Sequence, residues 1–84
     1  MDIVITGRRM TVNEDLREHV TSRIKTIAKL NDRVVRVEVQ FTANETKNSP
    51  GDAIEAEITI RAKGPVIRSE AVSDDKMAAF DKAF

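Results

Sequence analysis

The spacing of hydrophobic and polar positions changes several times along this chain, and each change predicts a new element. Apolar and β-branched residues follow Asp2 as far as Thr6 and stop at Gly7, which predicts a short buried strand that ends in a turn. A helical period begins after Asn13, a good N-cap, with acidic residues in the predicted first turn. Asn31-Asp32 is predicted to end this helix, whose apolar stripe consists of Leu16, Val20, Ile24, Ile27 and Leu30.

The middle of the chain alternates with a period of two. Apolar residues take every second position from Val35 to Phe41 and again from Ile54 to Ala62, which predicts two strands with one buried and one wet face. Residues 43–52 between them are polar and contain Ser49-Pro50-Gly51, so a loop is predicted there.

The last third of the chain predicts a strand and a helix. Lys63-Gly64 forms a turn before a fourth strand from Pro65 to Val72. Ser73 is the predicted N-cap of the second helix, with Asp74 and Asp75 in its first turn. No glycine, asparagine or proline ends this helix, so we expect the natural protein to continue. The predicted inward residues are Ile67, Ser69 and Ala71 on the strand and Met77, Phe80 and Phe84 on the helix.

These elements predict one domain, residues 1–84, in the order β-α-β-β-β-α. Only the two amphipathic helices can cover the single apolar face of the sheet. A right-handed crossover makes the first two strands parallel, while short connections make the last three antiparallel. The expected fold class is α+β: a two-layer sandwich of a four-stranded mixed sheet with both helices on one face.

Composition bears on where the protein is located and on whether it has a membrane partner. The chain has no cysteine, which excludes a disulfide framework and favours a cytoplasmic location. The N-terminus lacks the basic start and apolar stretch of a signal peptide, and no apolar run is long enough for a membrane span. We therefore expect no membrane partner.

The residues that carry chemistry in enzymes are few and scattered. His19 is the single histidine and has no cysteine or second histidine to complete a metal site. The carboxylates Glu14, Asp15, Asp74 and Asp75 are explained better by helix starts than by catalysis. The glycines stand far apart, so no phosphate-binding glycine loop exists. We expect no enzyme, no metal, no cofactor and no small-molecule substrate.

Charge is more informative once it is placed on the predicted elements. A net charge of zero counts against nucleic-acid binding. However, Arg17, Lys25 and Lys29 line the solvent side of the first helix, whereas Glu38, Glu55 and Glu57 fall on the open sheet face. The sequence therefore predicts a basic helical layer and an acidic sheet layer, the former suited to a phosphate-rich partner. All three phenylalanines are expected to be buried, so recognition would use phosphates and shape instead of base stacking.

Three blocks of sequence carry a resemblance to a known family. They are Ile5–Val12, then Leu16–Val20 with Arg23-Ile24, and finally Asp75–Ala83. In order and separation they resemble the ribosome-binding N-terminal domain of the ribosome hibernation promoting factors, the ribosome-associated inhibitor and sigma-54 modulation family. The first block is closer to the long members of that family.

The resemblance implies a function. Such proteins bind the small ribosomal subunit in the channel between its head and body, where messenger RNA and the A-site and P-site tRNAs would lie. They inhibit translation reversibly in stress or stationary phase. The expected partner is thus ribosomal RNA of the small subunit, met by the basic helical layer. Long members carry a second domain that pairs ribosomes into inactive dimers, and we expect one here if the chain is of that type.

The resemblance also suggests which residues bind ribosomal RNA. Thr26 and Met77 depart from the family, where lysine and tyrosine are common, and the basic continuation of the second helix is absent from this sequence. Four residues match positions that are usually basic: Arg8, Arg17, Arg23 and Lys29. Helical spacing and chain position add four more: Arg9, Lys25, Lys76 and Lys82.

Two other functions remain open on the sequence alone. A sheet edge or the end of the second helix could pair with another chain, which would make this a protein-interaction or dimerisation module. Helices on one side of a sheet are also used by double-stranded RNA-binding domains that have no tie to the ribosome.

Overall fold

The fold is a four-stranded sheet covered on one face by two helices, seen in a computed structural model that describes residues 1–30, 32–44 and 53–84. The strands lie in the order β1-β2-β3-β4, with β1 parallel to β2 and the other neighbours antiparallel. This confirms the predicted α+β sandwich. The elements are β1 Asp2–Arg8, α1 Glu14–Ala28, β2 Val34–Ala43, β3 Ile54–Ala62, β4 Val66–Ser73 and α2 Lys76–Ala83.

The core lies between the helices and the sheet. Phe41 of β2 and Phe80 of α2 are fully buried, and their ring centroids are 6.5 Å apart. Both helices direct buried residues to the same sheet face because their apolar positions recur at helical spacing. The other buried apolar residues are Leu16, Val20 and Ile24 of α1, Val37 and Val39 of β2, Ala56 and Ile58 of β3, and Ala79 and Ala83 of α2.

The first strand differs from its prediction. β1 continues to Arg8 and is only half-buried in its central residues, because it forms an edge of the sheet and pairs with β2 alone among the described strands. The following turn is tight: a Cβ on Gly7 would clash with the carbonyl oxygen of Met10, and Arg9 has a positive φ of 62°. Glycine at position 7 therefore permits the close approach that turns the chain towards α1.

One predicted helix cap is right and the other is wrong. The side chain of Asn13 accepts a hydrogen bond from the Leu16 amide at 2.9 Å, as expected of the α1 N-cap. Asp75, not Ser73, caps α2, where its carboxylate accepts from the Ala78 amide at 3.0 Å. Ser73 cannot cap the helix because it is the last residue of β4, paired with Ile54. Asp74 and Asp75 accordingly precede the first turn.

The prediction for the last turn of the apolar stripe of α1 is also wrong. α1 ends at Ala28, and the Leu30 amide donates to the Ile27 carbonyl at 2.9 Å, which tightens the chain as the helix ends. Leu30 therefore lies beyond the helix and is 84% exposed, whereas Ile27 is 36% exposed but still lines an apolar recess with Ile24, Val37 and Phe84. The predicted stop at Asn31 lies outside the described residues.

The remaining connections agree with the sequence where they are described. Gly64 forms the β3–β4 turn with a φ of 114°, and β4 starts at Val66, directly after Pro65. Residues 45–52, with the predicted Ser49-Pro50-Gly51 loop, lie outside the described part of the chain. No helix in the described part is long and apolar enough to cross a membrane.

The residues of β4 that were predicted to point inward do point towards the helices. The Ser69 hydroxyl donates to the Ala83 carbonyl at 2.6 Å, which ties β4 to the end of α2. Ile67 points to the same side and lines a recess with Phe84, although it remains 55% exposed.

Candidate nucleic-acid interface

Of the eight predicted RNA-binding residues, six lie on α1, at its C-cap or on α2; Arg9 lies in the turn before α1, and Arg8 ends β1, opposite Thr42 on the open sheet face. All of them are exposed except Lys76, which is half-buried at the start of α2. None of the eight forms an ion pair with a carboxylate of the described residues. Their charges are therefore available to a phosphate-bearing partner.

The outer surface of α1 brings part of this set together. Arg17 and Lys25 line one shallow groove, which also contains Glu14 and Glu18 near its start. Lys29 follows as the C-cap residue, where a positive charge is favoured by the helix dipole. The surface of α1 thus changes from mixed charge at its first turns to basic at its last turn.

A seam between α1 and α2 positions Arg23. Its guanidinium carbon lies 5.8 Å from the centroid of the Phe84 ring, which itself stacks on Phe80 at 5.1 Å. This cation–π contact, which stabilises an exposed pair by about 0.5–1 kcal/mol, holds Arg23 against the apolar seam. Its aliphatic part and its charge are held at the junction of the two helices.

His19 belongs to the same seam. Its Nε2 is 2.9 Å from Oδ1 of Asp81, and its ring packs edge-on against Phe80 with centroids 5.8 Å apart. These contacts join α1 to α2 and give His19 a structural role.

The predicted cations do not form a single patch. Arg8 and Arg9 lie at the turn before α1, while Lys29 lies at its other end, so the length of a 15-residue helix separates them, about 22 Å. Lys76 stands at the start of α2 and Lys82 in its last turn. Seven of the eight residues thus form an extended, discontinuous row along the helical layer and the turn before α1, whereas Arg8 lies on the open sheet face.

The predicted division of charge between two layers is wrong. The open sheet face carries Arg36, Arg61 and Arg68 besides its acids, because these residues share the outward positions of β2, β3 and β4. Charge separates instead between the two ends of the strands. Among the described residues, the end with the α1 C-terminus carries Arg23, Lys25, Lys29, Arg33, Arg36, Arg61, Lys63, Arg68 and Lys82 against Asp2, Asp32, Glu38 and Asp81. The other end carries Glu14, Asp15, Glu18, Glu55, Glu57, Glu70, Asp74 and Asp75 against Arg8, Arg9, Arg17 and Lys76.

The sheet face contains ion pairs between arginine and glutamate, which the eight cations predicted to bind RNA do not form within the described residues. Glu38 accepts from Arg36 at 2.9 Å and is 3.4 Å from the Nε of Arg61, so one carboxylate holds two arginines. Further along the face, carboxylate oxygens of Glu55, Glu57 and Glu70 lie within 4.8 Å of one another. No basic side chain of the described residues forms an ion pair with these three acids.

Arg33 and Lys63 at the basic end were not among the predicted RNA-binding residues. The Lys63 amide donates to the Arg33 carbonyl at 3.1 Å, which brings both residues to the end of the sheet where α1 finishes. They stand in turns with no periodic pattern, and only the pairing of β2 with β3 shows that they are neighbours.

The fold and its cationic helical surface define a small α+β module suited to a polyanionic partner. Residues 3–84 match the family model described as sigma 54 modulation protein / S30EA ribosomal protein. The match covers nearly the whole chain, so the chain belongs to this family.

Curated relatives agree with the family. A ribosome hibernation promotion factor of Mycobacterium tuberculosis is 26% identical over 82 residues, 98% of this chain and 37% of the relative. One of Deinococcus radiodurans is 28% identical over 79 residues, 94% of this chain and 41% of the relative. The chain therefore spans well under half of their length.

Two solved structures share the fold. A ribosomal subunit interface protein from Coxiella burnetii has a TM-score of 0.83 at 23% identity, with 99% of this chain and 85% of that chain covered. The N-terminal domain of Protein Y from Thermus thermophilus has a TM-score of 0.80 at 23% identity, with 99% and 86% covered.

Proposed function

We propose that this chain is the ribosome-binding domain of a bacterial hibernation factor and has no enzymatic activity. It binds the small ribosomal subunit in the channel for messenger RNA and the A-site and P-site tRNAs, and reversibly inhibits translation in the cytoplasm under stress or in stationary phase. Family membership supports this proposal, as do the two relatives named ribosome hibernation promotion factor.

The observation that carries the RNA-binding part is the lack of ion pairs among the cations of the helical layer. Arg36 and Arg61 on the sheet already share Glu38, so a phosphate would compete with a carboxylate there. Lys25 and Lys29 on α1 have no such competitor among the described residues. A phosphate that approaches α1 therefore gains a charge contact without breaking an existing one.

The mode of recognition follows from the aromatic residues. Phe41 and Phe80 are fully buried, and Phe84 is half-buried between Phe80 and Arg23. None of the three rings is free to stack on an unpaired base. The domain thus recognises the position of phosphates and the shape of folded RNA, as suits a rigid channel of ribosomal RNA.

Ribosome pairing by a second domain stays an expectation from the long members of the family. Both curated relatives are more than twice the length of the matched region. We assign that activity to no residue of this chain.

The experiment that tests the proposal is co-sedimentation with purified small ribosomal subunits over a series of salt concentrations. Lys25→Glu/Lys29→Glu should weaken binding and lower the slope of log K against log salt by roughly two, because each phosphate contact contributes about 0.9. The matched control is Arg61→Glu/Arg68→Glu, which makes the same charge change on the sheet face and should bind like the wild type.

Two outcomes would contradict the proposal. If the α1 double variant pellets like the wild type, the helical layer is not the interface. If both double variants weaken equally, net charge alone decides binding. Addition of duplex RNA as a competitor addresses the alternative of a double-stranded RNA-binding domain, which predicts that the competitor displaces the protein from subunits at equal phosphate concentration. Thermal unfolding of each variant checks that it is folded.

A further inference from the structure

The β4 edge of the sheet is unprotected. β4 pairs with β3 alone among the described strands, and its register has no bulge. Edge strands are often blunted by charged side chains, proline or a bulge; Val66–Ser73 has no proline and no bulge, and its charged residues are Arg68 and Glu70. Three apolar residues of β4 are exposed instead: Val66 at 49%, Ile67 at 55% and Val72 at 37%. Main-chain groups and apolar side chains on this edge are therefore open to another strand.

Two charged residues on β4 lack ion-pair partners. Arg68 is exposed and makes no ion pair with a described carboxylate. Glu70 stands two residues further on the same open face, beside Glu55 and Glu57 in the cluster of carboxylates. Like charges at this spacing repel one another, so a cation supplied from outside the chain would stabilise them.

We propose that β4 pairs with β4 of a second copy of this chain, antiparallel, about a two-fold axis at Ser69. The two sheets then join into one, with α2 of each copy still covering its own β3 and β4. The contact is isologous, since each copy offers the same strand. It uses none of the residues proposed to bind RNA, so it is independent of the proposed function.

The charge pattern selects this register. A two-fold pairing must place inward residues opposite inward ones, which allows centres at Arg68, Ser69 or Glu70. A centre at Arg68 sets arginine against arginine, and one at Glu70 sets glutamate against glutamate. Only a centre at Ser69 places Arg68 of each copy opposite Glu70 of the other.

The same register also matches the apolar residues. Val66 of one copy lies opposite Val72 of the other on the open face, and Ile67 lies opposite Ala71 on the helical side. Arg68 of the second copy then stands next to the carboxylate cluster of Glu55, Glu57 and Glu70. One arrangement thus covers the exposed apolar residues of β4 and supplies the absent cation. Its small area makes the dimer a weak one.

Sedimentation velocity from about 10 µM to about 1 mM protein, the range in which a weak dimer is populated, tests this proposal. The wild type should show a reversible monomer–dimer equilibrium. Arg68→Glu and Glu70→Arg should each weaken dimerisation roughly tenfold, because two attractive cross-strand pairs become repulsive. An equimolar mixture of the two variants should dimerise again, since each contact then joins opposite charges. Arg61→Glu, on the same face but on β3, is the matched control and should dimerise like the wild type.

Several results would overturn the proposal: a wild type that stays monomeric up to the highest concentration, single variants that dimerise unchanged, or a mixture that fails to recover. Amide chemical shifts of the wild type give a second measurement that needs no variant. They should change with concentration along Val66–Ser73, and changes confined to other elements would equally refute the β4 contact.

Discussion

The helical layer and the open sheet face carry similar kinds of charge but differ in how that charge is paired. On the sheet, Glu38 holds Arg36 and Arg61 at 2.9 and 3.4 Å. On the helices, Lys25 and Lys29 have no carboxylate partner within the described residues. Cross-strand neighbours on a sheet are fixed by register, so opposite charges there meet, whereas helix positions three or four apart interact more weakly. The number of cations on a surface thus says less about binding than their pairing does.

The largest effect is expected from Phe80→Ala, which removes the support of the helical layer. Phe80 is fully buried against Phe41 and also contacts His19 and Phe84 of the helix seam. We expect a loss of about 3–5 kcal/mol in the free energy of unfolding, from lost burial and the cavity left behind. Urea denaturation measures it. Phe84→Ala is the control, and because Phe84 is only half-buried, an equal loss there would contradict this account.

A smaller change should follow from Thr26→Lys, which adds one unpaired cation to α1. Thr26 is exposed, and its hydroxyl donates only to the Ser22 carbonyl of its own helix at 3.1 Å. We expect tighter binding to small subunits and a salt slope steeper by about 0.9, the contribution of one phosphate contact. Gln40→Lys adds the same charge in the middle of the open sheet face, opposite Thr6 and Glu57, and should leave the slope unchanged. If the two variants show equal salt slopes, the helical and sheet surfaces do not differ in their contribution to binding.

The smallest effect is expected from Glu38→Gln, which releases the two arginines on the sheet. The side chains of Arg36, Glu38 and Arg61 are 42%, 34% and 45% exposed, so solvent weakens both ion pairs and stability should fall by less than about 1 kcal/mol. Thermal unfolding measures that loss. Binding to subunits should change less than in Thr26→Lys. A larger gain would mean that freed cations bind RNA wherever they lie.

Strong periodicity made the fold predictable. The alternation of β2 and β3 and the helical spacing of Leu16, Val20 and Ile24 gave the elements and most of their buried residues correctly. Val35, predicted to be buried, is 50% exposed because the β2–β3 register shifts between Val34 and Arg36. Errors occurred at element ends, where local sequence has several solutions. Ser73 has the chemistry of a helix cap, but its pairing with Ile54 keeps it in β4 and leaves the cap to Asp75.

The candidate site was less predictable than the fold. The eight cations were chosen by helical spacing, chain position and family resemblance, and six of them lie on the helices or at the α1 C-cap. Their spread over the length of α1 and the neighbouring positions of Arg33 and Lys63 depend on the return of the chain from β1 to β2. Sequence spacing holds no information on such contacts.

The sequence by itself determined the order of elements, the inward faces of the strands and the absence of cysteine chemistry, because periodicity and composition are local properties. Tertiary structure alone decided how the charges combine. It brought Arg61 to Glu38, added Glu70 to the neighbouring Glu55 and Glu57, and divided an evenly charged chain into a basic and an acidic end. The physical reason is that strand register and chain reversal bring together charges that lie far apart in sequence, and electrostatic energy depends on their distance in space.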